Sequence, residues 1–100
     1  MDAQFKKGVL ELIVLSGLRE RDCYGYELTE RISGEMEVTA GTLYLILKRL
    51  KDAGYLETYL EESSGGPARK YYHLTEPGQA YLSTRKAEWE SFLRKVEKLI

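Results

Sequence analysis

The stretch from Ser63 to Thr75 reads SSGGPARKYYHLT and predicts the turn and the returning strand of a β-hairpin. The Gly-Gly-Pro turn ends regular structure, because glycine admits positive φ and Pro67 has no N–H to donate. Two cations, Arg69 and Lys70, follow the turn and precede two β-forming tyrosines. Before the turn, residues 55–61 read YLETYLE, which is also typical of a strand. The sequence therefore predicts a hairpin with a flexible tip and positive charge at the start of its second strand.

Three helices are predicted ahead of this hairpin. Residues 5–18 are apolar around most of a helical circumference, so we expect them in a core or at a subunit interface. Asp22 is the candidate N-cap of a second helix, which Gly34 is well placed to end. Thr39 is the candidate N-cap of the third helix, and Gly54 marks its end. A short amphipathic helix followed by a basic-tipped hairpin is the layout of a winged helix-turn-helix.

The third helix has an apolar face and an unusual opposite face. Its apolar stripe consists of Leu43, Ile46, Leu47 and Leu50. The opposite face carries Gly41, Tyr44, Leu45 and Lys48. Exposed tyrosine and leucine side chains beside a cation suit a surface that contacts an anionic partner with apolar edges, as a DNA groove is.

A fourth helix is predicted to run from Thr75, its capping residue, to the end of the chain. Its length is roughly 37 Å, more than one small body can cover, so we expect a second copy of the chain to cover the rest of its apolar stripe. The chain accordingly divides into a DNA-binding region at 1–75 and a dimerisation helix at 76–100. The expected dimer interface consists of Phe5, Val9, Leu82, Trp89, Phe92, Leu93, Val96 and Leu99.

The composition fits one small domain and does not by itself favour a nucleic-acid binder. The chain has 100 residues, of which 43% are hydrophobic and 31% are charged. Its formal net charge is −1, whereas DNA-binding domains usually carry a basic surplus, so any basic surface must arise from placement. The single cysteine, Cys23, cannot form an internal disulfide, and the apolar run at 9–18 is too short to cross a bilayer. We therefore expect a cytoplasmic protein that does not enter a membrane.

Several blocks of this sequence together resemble the PadR family of bacterial transcriptional regulators. In chain order the blocks are KGVL at 7–10, YGYEL at 24–28, GTLY at 41–44, RL at 49–50, GYL at 54–56, GGPARKYY at 65–72 and LT at 74–75. Each block alone is weak, but their order and spacing across nearly the whole chain are specific. The resemblance implies a dimeric winged-helix DNA binder, usually a repressor, with a C-terminal helix that forms the dimer.

The terminal helix resembles that of the short-tailed members of the family. Some of these are multidrug sensors that hold flat aromatic compounds between paired tryptophans at the dimer centre, and Trp89 lies in the matching part of this chain. Trp89 therefore either packs at the interface or stacks on an aromatic ligand there. One departure from the family pattern is Leu45, where members often have proline.

The third helix is expected to enter the major groove with its N-terminal part, and the hairpin tip to reach the DNA backbone. Hydroxyl groups can bond phosphate oxygens, and a lysine can reach a phosphate or a guanine edge. Of the two tyrosines at the start of the second helix, we expect Tyr26 to pack in the core. Glu61 and Glu62 are expected to point away from the DNA. The predicted DNA contacts are Tyr24, Thr39, Thr42, Tyr44, Lys48, Arg69 and Lys70.

Other functions find less support in the sequence. His73, the single histidine, has no oriented acid or nucleophile that the sequence can place beside it. Metal-ligand spacings, phosphate-binding glycine loops and nucleophile motifs are not found in the sequence, so we expect no enzyme activity, no cofactor and no metal. The alternative to a DNA-binding regulator is a winged helix used for protein–protein contact, which the slightly acidic balance motivates.

Overall fold

The computed structural model describes residues 3–100, with side chains from Phe5 onward. Within them a helical body carries a small antiparallel sheet and a long terminal helix, which confirms the predicted winged helix-turn-helix of mainly α class (α+β). No helix in this part of the chain has the length and hydropathy that a membrane span requires. In chain order the elements are α1 (Ala3–Gly17), β1 (Cys23–Tyr24), α2 (Gly25–Ser33), α3 (Ala40–Asp52), β2 (Leu56–Glu61), β3 (Arg69–Leu74) and α4 (Glu76–Leu99).

The predicted hairpin is present, and a third strand extends it. Strands β2 and β3 pair antiparallel from Leu56 opposite Leu74 to Glu61 opposite Arg69. The short strand β1 pairs with the other edge of β3, where Tyr24 lies opposite Tyr71. The sequence does not reveal β1, because two residues carry no periodic pattern. This pairing holds the start of α2 beside the basic end of β3.

Asp22 does not cap α2, so that prediction is wrong. Tyr24 occupies the N-cap position of the helix instead. The Asp22 carboxylate accepts a hydrogen bond from the Tyr59 hydroxyl at 2.7 Å and contacts His73 Nδ1 at 2.8 Å. These partners lie far away in the sequence, and they draw the carboxylate toward the hairpin. At the other end of α2, Gly34 is the C-cap residue, as predicted.

The other predicted helix boundaries are confirmed. The Thr39 side chain accepts a hydrogen bond from the Thr42 N–H at the start of α3. The Thr75 side chain does the same for the Gly78 N–H at the start of α4. Gly54 follows the end of α3 with a φ of 87°, a left-handed conformation that glycine adopts without strain.

The core lies between α1, α2, α3 and the base of the sheet. The predicted apolar stripe of α3 is buried in it, which confirms that helical wheel. The largest fully buried side chains are Val14, Leu10, Leu15, Leu28, Leu43, Leu47, Leu50 and Cys23.

Leu82 belongs to this core and not to a surface that another copy could cover. Its side chain is only 2% exposed within a single chain, so its predicted place in the dimer interface is wrong. The first turns of α4 pack against the body, and the apolar stripe of the helix becomes exposed further along. Exposed members of the predicted interface are Phe5, Phe92, Leu93 and Leu99.

The start of α4 is fixed tightly to the turn after α3. The Thr75 N–H donates to the Tyr55 carbonyl oxygen at 3.2 Å, and the Thr75 hydroxyl donates to the Gly54 carbonyl oxygen at 2.8 Å. The rings of Tyr55 and Tyr81 stack with their centroids 4.1 Å apart and their planes within 4°. Gly78 lies directly against the Tyr55 backbone. We call Tyr55, Thr75, Gly78 and Tyr81 the α4 anchor.

Candidate nucleic-acid interface

A shallow cleft of about 600 Å³ lies where the start of α2, the early part of α3 and the start of β3 meet. Four of the predicted DNA contacts, at positions on three different elements, surround it. We call this surface the tyrosine cleft; it is lined by Tyr24, Gly25, Tyr26, Tyr44, Arg69, Lys70 and Tyr72.

The tyrosine cleft is locally basic although the chain as a whole carries a net charge of −1. Among the described residues that line it, two are cations and none is a carboxylate. Acids lie at its border: Glu61 is opposite Arg69 in the hairpin register, and both Glu61 and Glu62 are exposed. Placement alone therefore supplies the positive surface that composition does not.

Arg69 lies over an aromatic face at the rim of the cleft. Its guanidinium carbon is 4.6 Å from the centroid of the Tyr24 ring. The Tyr24 ring in turn contacts Tyr71, its partner in the β1–β3 register, at a centroid distance of 5.6 Å. A guanidinium stacked on a ring is held in place and keeps its in-plane N–H groups for a phosphate.

Gly25 allows Tyr44 to pack against the start of α2, and sequence reasoning missed this role. A Cβ built at Gly25 would lie 2.7 Å from Tyr44 Cε1 and 2.9 Å from its hydroxyl oxygen. A side chain at this position would thus displace the Tyr44 ring. The available signal was a glycine at the first position of a helix, where a better helix former is expected.

The structure places both tyrosines at the start of α2 outside the core. Tyr26, predicted to pack in the core, is 61% exposed, so that prediction is wrong. A hydrogen bond with Glu30, and the charge of that carboxylate, raise the pKa of Tyr26. Tyr24 is half-buried instead, because it belongs to β1 and packs on the sheet. Both rings line the tyrosine cleft.

Thr39 and Thr42 lie on the other flank of α3. Both line a groove of about 780 Å³ between α1 and α3, together with Leu45. The Thr39 hydroxyl donates to Thr42 Oγ1 at 3.0 Å, so the two side chains form one hydroxyl pair at the start of the helix. The predicted DNA contacts of α3 therefore fall on both of its flanks, with the exposed ridge of the helix between them.

Lys48 stands further along the exposed face of α3 and already has a partner. Its Nζ atom lies 2.9 Å from Asp52 Oδ2, one helical turn later. This hydrogen bond and the charge of Asp52 raise the pKa of Lys48. A phosphate that binds Lys48 therefore competes with a carboxylate, and the net contribution of an exposed pair of this kind is small.

His73 lies beside an oriented acid, Asp22, which the sequence does not indicate. Asp22 joins it to Tyr59, whose ring stacks on Tyr71 at a centroid distance of 5.6 Å. Burial works to raise the pKa of Asp22, but the hydrogen bonds from Tyr59 and His73 outweigh it and lower that pKa. The hydrogen bond to Asp22 raises the pKa of Tyr59 to about 12. The network ties the loop before β1 to the hairpin and so orients the wall of the cleft.

Trp89 lies in a second groove, of about 310 Å³, between α1 and α4. Its ring centroid is 6.3 Å from that of Phe5 and 6.4 Å from that of Phe92. Charged side chains of both signs, Arg85 and Glu88, complete the groove wall. Nowhere in residues 3–100 are three or more His, Cys, Asp or Glu side chains arranged to hold a metal ion.

Comparison with known proteins gives consistent matches over most of the chain. Residues 14–84 match the model of the transcriptional regulator PadR-like family. The chain is 38% identical over 87 residues to an uncharacterized protein from Lysinibacillus sphaericus, covering 83% of this chain and 80% of that protein. It is 30% identical over 94 residues to the transcriptional regulator Rv3488 of Mycobacterium tuberculosis, covering 93% and 87% of the two chains.

The solved structures agree with these relatives. The crystal structure of a PadR-like transcriptional regulator from Bacillus cereus superposes on this fold with a TM-score of 0.87 at 35% identity, covering 97% of this chain and 96% of that one. The family match runs from the last turn of α1 into α4 and includes every residue of the tyrosine cleft. The chain therefore belongs to the PadR-like family of transcriptional regulators, whose members are regulators and not enzymes.

Proposed function

We propose that this protein is a cytoplasmic transcriptional repressor that binds an inverted-repeat operator as a homodimer. The observation that carries the proposal is the tyrosine cleft, whose described lining combines Arg69 and Lys70 with four tyrosines and no carboxylate. Tyrosine hydroxyls, guanidinium and ammonium groups are the donors that bind DNA phosphates. In a chain with a net charge of −1, their collection on one surface favours a nucleic-acid partner.

In this proposal α3 enters the major groove and the hairpin reaches the adjacent backbone. Tyr44 and Lys48 face the groove, and the hydroxyl pair of Thr39 and Thr42 lies at the N-terminus of α3, where the helix dipole favours phosphate. The cations of the hairpin and Tyr24 bind phosphates on the cleft side. The DNA contacts proposed are Tyr24, Thr39, Thr42, Tyr44, Lys48, Arg69 and Lys70.

The proposed dimer forms through the exposed part of α4. Phe92, Leu93 and Leu99 leave a large apolar area in water when the chain is alone, and Phe5 continues it onto α1. A symmetric copy that packs on this stripe removes that area from water. We therefore assign DNA binding to residues 1–75 and dimerisation to 76–100, with Leu82 in the core; the proposed interface consists of Phe5, Val9, Trp89, Phe92, Leu93, Val96 and Leu99.

A gel-shift titration with the promoter regions beside the protein's own gene tests the proposal. If the dimer neutralises about six phosphates, the logarithm of its affinity falls with the logarithm of salt concentration at a slope near −5. A winged helix used only for protein–protein contact gives no DNA retention, even at low ionic strength. That result would rule out the proposed function.

The groove around Trp89 supports a second role, in which a planar aromatic compound binds between α1 and α4 and changes DNA affinity. Trp89 is the only tryptophan in the chain, so its fluorescence reports on this groove alone. We expect the planar cation proflavine to quench it saturably, because the dye can stack on Trp89 and contact Phe5 and Glu88 in the same groove.

Phe5→Ala, which removes one wall of the groove, tests this binding, and Tyr26→Ala, which removes an exposed aromatic ring elsewhere, is its control. Dye affinity should fall about tenfold in the first variant, as the loss of one stacking wall implies, and stay unchanged in the second. Quenching that does not saturate, or that is equal in both variants, would leave Trp89 as an interface residue only.

A further inference from the structure

We propose that Leu45 is a base-reading residue: its side chain contacts the C5-methyl group of a thymine in the major groove and makes the protein prefer thymine at one position of each half-site. The proposal rests on the proposed function, because it requires α3 to enter the groove. It adds a sequence preference that the phosphate-binding groups of the tyrosine cleft cannot supply, since phosphate contacts carry no sequence information.

Leu45 stands on the exposed face of α3, at the edge of the groove between α1 and α3 that Thr39 and Thr42 also line. Its side chain is 71% exposed, although the helix buries its other large aliphatic residues almost completely. Helical geometry places Gly41, Leu45 and Lys48 together on the side opposite the buried stripe. An apolar side chain this exposed is largely in water in the free protein and leaves it when a partner covers this face of the helix.

Gly41 leaves the Leu45 side chain uncovered on its N-terminal side. Helical side chains lean toward the N-terminus and cover the residue four positions earlier, which here is Gly41. A Cβ built at Gly41 would have Thr39 Oγ1 as its neighbour at 4.0 Å, so the space above this glycine is open. The backbone at Gly41 can therefore approach the DNA closely and bring Leu45 to the base edges.

The charges along α3 restrict which part of the helix can enter the groove. Asp52 lies at the C-terminal end of the same exposed face. Its carboxylate pairs with Lys48 and disfavours a phosphate nearby. The N-terminal half carries the hydroxyl pair of Thr39 and Thr42 and has no acidic residue in its first turn. Leu45 is the most exposed large apolar side chain of this favoured half.

The chemistry of the major groove makes thymine the match for such a side chain. Each base pair presents hydrogen-bond donors and acceptors there, and a leucine can pair with none of them. Thymine alone among the four DNA bases adds a methyl group, and apolar side chains contact it. A leucine on the ridge therefore favours thymine at its position and disfavours a bare polar edge.

The test begins by selecting the preferred operator from a randomised duplex library with the full-length protein. Each thymine of the selected site is then replaced by deoxyuridine, which removes only the methyl group. We expect one thymine in each half-site at which this change weakens wild-type binding about fourfold, or about fifteenfold when both half-sites are changed, as the burial of one methyl group implies. At the other thymines the change should have little effect.

Two variants assign that effect to Leu45. Leu45→Ala should bind thymine and deoxyuridine operators equally, because the side chain that contacts the methyl group is gone. Leu60→Ala removes an almost equally exposed leucine, at 70%, from β2 and should keep the full thymine preference. Both positions are exposed, and circular dichroism checks that both variants remain folded.

The proposal is overturned if the selected half-site contains no thymine whose methyl group matters, or if Leu45→Ala keeps the same preference as the wild-type protein. In either case salt-dependent binding by the wild-type protein leaves the proposed function intact. Failure to select any DNA overturns both, so the two kinds of failure are distinguishable.

Discussion

Replacing Arg69 and Lys70 together by alanine is expected to weaken DNA binding about a hundredfold or more at 0.1 M salt, and to do so for every DNA sequence. Both cations line the tyrosine cleft, and a dimer carries two copies of each. Four lost phosphate contacts remove about 0.9 each from the slope of log affinity against log salt. The slope should therefore change from about −5.4, for six phosphates, to about −1.8, for two.

The matched control is Arg94→Ala with Lys98→Ala, which removes the same two kinds of charge from exposed positions of α4. Helical geometry places these two residues opposite the apolar stripe, away from both the cleft and the proposed interface. Net charge changes equally in both double variants, so a general electrostatic effect would weaken both alike. Fluorescence anisotropy over a series of salt concentrations measures the slopes, and an unchanged slope in the hairpin variant would contradict the placement of DNA at the cleft.

Gly78→Ala is expected to destabilise the protein by about 2–4 kcal/mol, the largest stability effect of any single methyl group that we expect in this chain. The added Cβ would overlap the Tyr55 carbonyl oxygen and lie 2.8 Å from Leu74 Cδ1. The Tyr55 oxygen is backbone and accepts the Thr75 N–H, so it cannot move without opening the α4 anchor. At fixed protein concentration the melting temperature should fall by about 10–25 °C.

Gly41→Ala is the control for this substitution. It makes the same chemical change at another helical glycine, where the added methyl group meets open space. Alanine is the better helix former, so the melting temperature should stay the same or rise slightly. Thermal unfolding followed by circular dichroism compares the two variants. An equal melting temperature in both would show that the start of α4 is not held by close contact between Gly78 and the Tyr55 backbone.

Local signals in the sequence predicted the helices and the hairpin well. A threonine at an N-cap and a glycine with positive φ act through neighbouring residues, so Thr39, Gly54 and Thr75 could be interpreted from the chain alone. The apolar stripe of α3 is also local, because helical periodicity shows which face is buried.

Features that depend on distant partners were not predictable in the same way. Aspartate is a residue type preferred at N-caps, but the Asp22 carboxylate bonds to Tyr59 and His73, which are far along the chain. Strand β1 is defined by its pairing with the edge of β3 that β2 does not occupy. Leu82 continues the stripe of Trp89 in the sequence, and only the docking of α4 on the body separates their surroundings.

The candidate site likewise combines residues that local chemistry indicates with residues whose roles depend on the fold. Residue chemistry singled out Tyr24, Tyr44, Arg69 and Lys70, and the fold brings these four around one cleft. Their contacts with DNA remain predictions. Sequence reasoning missed Gly25 and misplaced Tyr26, because their roles depend on which way the start of α2 faces. The net charge was also a poor guide, since it averages over surfaces that the fold separates.

The proposed function requires that two chains join through α4 and present two tyrosine clefts to one duplex. Native mass spectrometry of the protein with its selected operator, at low salt, measures this directly. We predict a complex of two 11.5 kDa protomers per duplex, together with a protein dimer when DNA is left out. A single protomer on the duplex, or no complex at any salt concentration, would contradict it.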